Sequence, residues 1–115
     1  MTRILVADDS DVVRHGLKHL LRQHAGWEVC GEAVDGQEAV EKARQLSPDL
    51  VLLDYCMPVL NGIEAARQIR ESQPNTRFVA KKVGITSVLS KSNVGQIIKG
   101  VEAGLQGTTF AEARI

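Results

Sequence analysis

The sequence predicts a single doubly wound α/β layer domain, and three observations predict it. Two uninterrupted apolar runs of four, at residues 4–7 and 50–53, suit strands covered on both faces, as in a parallel sheet. Between and after them, apolar residues recur at helical spacing, so strand and helix signals alternate along the chain. Each run also ends directly in acids: Ile4, Leu5, Val6 and Ala7 lead into Asp8 and Asp9, and Leu50, Val51, Leu52 and Leu53 lead into Asp54. The carboxyl ends of parallel strands are where ligands sit in open α/β sheets.

The elements follow in order. After Asp9, Val13, Leu17, Leu20 and Leu21 form the stripe of an amphipathic helix, with Ser10 or Asp11 as its cap. A short strand is expected around residues 27–31. Asp35 then caps a second helix bearing Ala39, Val40, Ala43 and Leu46 on one face. Ser47, Pro48 and Asp49 break that helix and deliver the chain to the strand ending at Asp54. Pro58, Asn61 and Gly62 shape the next loop, and Ile63, Ala66 and Ile69 mark a third helix. Residues 85–90 read as a strand. Ser92 or Asn93 then caps a last helix carrying Val94, Ile97, Ile98, Val101 and Leu105.

Residues 77–83 do not fit this alternation. A parallel crossover needs about a dozen residues. A strand at 77–80 would leave only Lys81, Lys82, Val83 and Gly84 before the strand at 85–90. The segment is therefore read as a helix remnant ending at Gly84, with the preceding strand missing, and Lys81 and Lys82 as its solvated end. A missing strand would expose apolar sheet, which favours a homodimer that repairs it.

The whole chain sets further bounds. Its 115 residues make one domain, residues 1–105, with 106–115 as a tail or the start of a linker. Lysine plus arginine and aspartate plus glutamate number 14 each, so bulk charge argues for neither a nucleic-acid nor a membrane partner. No apolar run approaches the roughly 18 residues of a membrane span, and no signal-peptide pattern is present, which makes a cytoplasmic protein the expectation. Cys30 and Cys56 read as reduced thiols. His15 and His19, four apart on one helix, have no evident third ligand and read as a solvated face. Trp27 reads as a partly exposed packing residue.

The chemistry lies in the acids. Three carboxylates brought together repel one another unless a cation offsets them, and oxygen-only ligands suggest Mg²⁺ or Mn²⁺ rather than Zn²⁺. Such a cluster suits work on phosphate.

Residues 3–14 (Arg-Ile-Leu-Val-Ala-Asp-Asp-Ser-Asp-Val-Val-Arg), the pattern Asp-x-x-Met-Pro-x-x-x-Gly from Asp54, and Val-Leu-Ser-Lys ending at Lys91 resemble the receiver domain of two-component response regulators. The stretch at 26–33 is similar to receivers that precede a helix-turn-helix DNA-binding output domain. The match is strong over 3–75, fair over 84–105 and fails at 76–83. The resemblance implies a flavodoxin-like sheet of order 2-1-3-4-5, with the fourth strand and helix deleted or remodelled. It implies that Asp54 accepts a phosphoryl group from a sensor histidine kinase. Asp9 would hold Mg²⁺ directly, Asp8 through water or hydrogen bonds, and Cys56 through its backbone carbonyl. Lys91 would face a phosphoryl oxygen. The signal would pass to an output domain or downstream protein, with transcription as the expected output and no direct nucleic-acid contact by this domain. Only self-phosphorylation and self-dephosphorylation are expected, not turnover of outside substrates; a phosphatase would want a second acid where Cys56 stands.

Receivers report phosphorylation through a hydroxyl at the end of the fourth strand and an aromatic residue on the fifth. Here the fifth-strand position is Val88, and no hydroxyl stands in register between Ala80 and Lys91; Thr76, Thr86 and Ser87 lie elsewhere. An alternative reading is therefore an unswitched pseudo-receiver acting as a protein-interaction module.

Overall fold

Strands β1 (Thr2–Ala7) and β3 (Leu50–Asp54) form the centre of the sheet, and both are buried where they meet. In the computed structural model, which describes residues 1–54, 57–81, 91–106 and 110–112, they pair in parallel, with Ile4 beside Leu50 and Ala7 beside Leu53. β2 (Trp27–Ala33) flanks β1, and β4 (Arg77–Lys81) flanks β3. β5 (Phe110–Glu112) lies beyond β4, so the order is β2-β1-β3-β4-β5, every pairing parallel. This is the flavodoxin-like order.

The helices divide between the two faces. α1 (Asp11–Arg22) and α4 (Lys91–Gln106) cover one: Val13, Leu17, Leu21, Ile97 and Val101 pack with Ile4, Val6, Leu50, Leu52 and Val79. α2 (Gly36–Leu46) and α3 (Gly62–Ser72) cover the other: Ala39, Val40, Ala43, Ala65, Ala66 and Ile69 pack with Leu5, Ala7, Val51, Leu53 and Phe78. Odd and even residues of one strand thus enter opposite cores, which is why β3 tolerates no polar residue before Asp54. Trp27 is buried in the α1 face with its ring stacked on His24, rather than partly exposed.

Local signals set the helix starts. Ser10, not Asp11, caps α1, its hydroxyl accepting from the Val13 N–H. Asp35 caps α2 through the Glu38 N–H at 2.7 Å, and Asn61 caps α3 through the Glu64 N–H at 2.9 Å. Ser47 ends α2 in the left-handed region at φ 46°. α4 begins at Lys91, so Ser92 and Asn93 lie inside its first turn instead of capping it.

The largest departure from expectation concerns residues 77–83. Arg77–Lys81 is not a helix remnant but the fourth strand, paired with β3 over its whole length. The crossover requirement is met by another route: α4, 16 residues long, follows β4 and precedes β5. The strand expected at 85–90 lies outside the described residues, and β5 comes from the stretch expected to be tail. With β4 in place, the argument for a sheet-repairing homodimer no longer holds.

α4 approaches the sheet closely at Gly104. A Cβ there would stand 2.5 Å from Val79 Cγ2 and 3.2 Å from Leu50 Cδ1. Helix propensity favours Gly104→Ala by about 1 kcal/mol, but overpacking against a stiff β-branched neighbour costs about 1–3 kcal/mol. The expected outcome is a net loss of stability of about 1 kcal/mol, read from the urea unfolding midpoint; a gain would mean that the helix slides to make room.

Candidate functional site

The register of β1 and β3 builds the site. Ala7 sits beside Leu53, so the next residue on each strand, Asp8 and Asp54, emerges at the same level of the sheet. Asp8 and Asp54 are 2% and 8% exposed, while Asp9 faces solvent at the rim. Each of Asp8, Asp9 and Asp54 offers an oxygen, and these oxygens lie within 4.8 Å of one another. Two oxygens bound to one Mg²⁺ are at most about 4.2 Å apart, given ligand distances near 2.1 Å, and a bridging water widens that span. The donor set, all oxygen and one member solvent-facing, fits a hard divalent cation such as Mg²⁺ or Mn²⁺. His15 and His19 are exposed, and the His19 Nε2 pairs with the Gln23 side chain at 2.8 Å.

A web of contacts holds the first of these acids. The Asp8 N–H donates to the Ala33 carbonyl at 3.0 Å, and the Asp8 carboxylate accepts from the Ser10 N–H at 2.8 Å. Arg14, one helical turn on, is buried and donates through Nη1 to the Asp8 carbonyl oxygen at 2.9 Å. Its other donors reach Asp11 and, at 3.0 Å, Glu32 on β2. Lys18 pairs with the second Glu32 oxygen. The Lys18 ammonium first, and the Arg14 guanidinium with it, hold the Glu32 carboxyl well below its ordinary value, at about 2. Sequence reasoning missed Arg14 and Glu32 as supports because they meet only when β2 is laid beside β1.

A tight loop lies after β3. The Leu60 N–H donates to the Pro58 carbonyl at 2.8 Å, and between them Val59 has φ 71°. A bond from residue i+2 to residue i across a positive φ is a strained γ-turn, unusual for a β-branched residue. Gly36, the first residue of α2, abuts this loop; a Cβ there would stand 1.8 Å from the Leu60 carbonyl oxygen.

The remaining expected residues divide. Cys56, whose carbonyl was expected at the cation, lies outside the described residues, as do Thr86, Ser87 and Val88. Lys91 is the first residue of α4, and its side chain also lies outside the description. Thr76 is buried at the opposite end of β4, its hydroxyl directed to Pro48 and Gln73, so it serves the fold. Lys81 is not a solvated helix end: it closes β4 at the register position of Asp54.

Two outcomes follow for stability. Val59 is 80% exposed and has little packing to lose, so Val59→Gly should relieve the turn and stabilise the chain by about 1 kcal/mol, measured by urea unfolding. The lowered Glu32 value means the folded state binds its proton less readily than the unfolded state. That contribution is complete above 4.5 and fades as pH falls toward 2. The Glu32 side chain is 34% exposed, so screening reduces its worth to about 1–2 kcal/mol. Glu32→Gln should lower stability by that amount at pH 7, and the gap between the two chains should narrow steadily below pH 4.5.

Comparison with known proteins agrees with this geometry. The response regulator receiver domain family matches residues 4–108. The chemotaxis protein CheY of Thermotoga maritima is 37% identical over 102 residues, covering 89% of this chain and 78% of that protein. The response regulator GacA of Pseudomonas viridiflava is 45% identical over 83 residues, 72% of this chain but 39% of GacA, so the chain spans well under half of that relative's length. Among solved structures, the response regulator domain of Thermotoga maritima CheB superposes with a TM-score of 0.69 at 35% identity, covering 97% of this chain and 78% of that one. The chain belongs to the response regulator receiver domain family.

Proposed function

We propose that this chain is a phospho-accepting receiver of two-component signalling, taking a phosphoryl group from a sensor histidine kinase onto Asp54. The observation that carries the reading is the convergence of Asp8, Asp9 and Asp54 oxygens within 4.8 Å at the carboxyl ends of adjacent strands. Mg²⁺, held by these three acids and the Cys56 carbonyl, would supply charge neutralisation for the phosphoryl oxygens. The Asp54 carboxylate attacks phosphorus in line, forming an acyl phosphate and releasing the donor. Lys91, at the start of α4, provides the second positive charge. Its assignment rests on the family pattern.

The chemistry is confined to phosphorylation and dephosphorylation of the chain itself. The signal then passes to an output domain or separate partner, with transcription as the output suggested by the resemblance to receivers preceding helix-turn-helix domains. No helix among the described residues is long and apolar enough to cross a membrane, and the proposed setting is the cytoplasm.

One observation favours a second reading, an acceptor without the usual switch. β4 brings Lys81, not a hydroxyl, to the register position of Asp54. A charge placed there has no Ser or Thr in that position to draw inward.

Incubation with acetyl phosphate and Mg²⁺ tests the first reading. The expected result is a gain of about 80 Da, one phosphoryl group, abolished in Asp54→Asn; no gain in the folded wild-type chain refutes it. Amide spectra of the phosphorylated sample separate the two readings. Shifts confined to the acid site indicate an unswitched module, whereas shifts spreading over β4 and α4 indicate a switch.

A further inference from the structure

We propose that Arg14 is a positioning residue of the cation site: it fixes the peptide plane between Asp8 and Asp9 and so sets where the Asp9 carboxylate meets Asp54. The inference rests on reading the three acids as a divalent-cation site.

The carbonyl that Arg14 grips belongs to the planar unit joining the two acids. Asp8 is already held on the other side, its N–H by Ala33 and its carboxylate by the Ser10 N–H. Holding the carbonyl oxygen as well fixes the plane from which the Asp9 Cα departs, and with it the starting direction of the Asp9 side chain. Asp9 needs this help. It lies exposed at the rim, beyond the last β1–β3 pair, where sheet pairing no longer fixes the chain.

Arg14 is itself over-determined, which a positioning residue must be. Its side chain is 8% exposed, and its planar guanidinium meets three acceptors: the Asp8 carbonyl, Asp11 in the same helix, and Glu32 on the neighbouring strand. Glu32 is anchored in turn by Lys18, one turn further along α1. Register places Glu32 beside Val6, two residues before Asp8, so the web spans β2, β1 and α1. Lysine could not reproduce it, since one ammonium cannot present a flat fork to three fixed acceptors.

Charge alone predicts the opposite role. A guanidinium this near a cation site repels the cation, so removing it should tighten binding. If Arg14 holds the acids in place, removing it should loosen binding instead. The sign of the change therefore decides between positioning and bystander charge, and a simple loss of stability does not move the affinity of the molecules that remain folded.

The test is Mg²⁺ titration of the whole chain by calorimetry and amide shifts, with melting curves alongside, for wild type, Arg14→Gln, Arg14→Lys and Asp54→Asn. Arg14→Gln should weaken Mg²⁺ binding about tenfold, the scale of lost outer-shell support, and Arg14→Lys should weaken it about threefold or more. Unchanged or tighter binding in folded Arg14→Gln overturns the inference. Should that variant not fold, Arg14→Lys decides: weakened binding upholds it and wild-type affinity overturns it. Absence of saturable Mg²⁺ binding by wild type, or an unaltered affinity in Asp54→Asn, refutes the cation site itself. Intact wild-type binding with unaffected Arg14 variants refutes only the role of Arg14.

Discussion

Repulsion between like charges is the constraint to which the rest of the structure answers. Two carboxylates with oxygens within 4.8 Å of one another repel by about 3 kcal/mol at the effective dielectric of a protein surface, and three of them stand together here. The chain accepts this because the strands beneath them are pinned. β3 is buried along its whole length, and the two apolar layers grip β1 and β3 from both sides. Strands so held cannot drift apart to relieve the strain at their ends.

α1 links the core to the acids. One side of the helix carries Val13, Leu17 and Leu21 into the sheet, while Asp11, Arg14 and Lys18 form a charged seam toward β2. The seam is arranged so that its carboxylates are matched by cations: Asp11 by Arg14, and Glu32 by Arg14 and Lys18 together. The Arg14 guanidinium is thus shared among Asp11, Glu32 and the neutral Asp8 carbonyl.

Much of this was legible in the residues. The runs at 4–7 and 50–53 announced both central strands because two-sided burial demands continuous apolar sequence. The acids closing them located the site, and Asp35 and the choice of Ser10 or Asp11 marked helix starts, whereas Asn61, read as shaping a loop, proved to be the cap of α3. β4 was not legible, although Arg77, Phe78, Val79 and Ala80 have strand character. A competing strand at 85–90 left no room for a crossover, and nothing local revealed that α4 would carry the chain onward to a strand at 110–112. Lys81 was misread with it, since its place beside Asp54 depends on register. Arg14 looked like any helical arginine; the partner that explains it lies 18 positions away.

The contact between Gly36 and Leu60 has a mechanical corollary. With no side chain in the gap and a carbonyl already filling it, the loop at Leu60 has no slack toward α2. Like a pawl resting on its stop, the loop transmits inward travel at once to the helix. Any disturbance that presses Leu60 inward would therefore reach α2 directly, through a contact that asks nothing of β4 or β5.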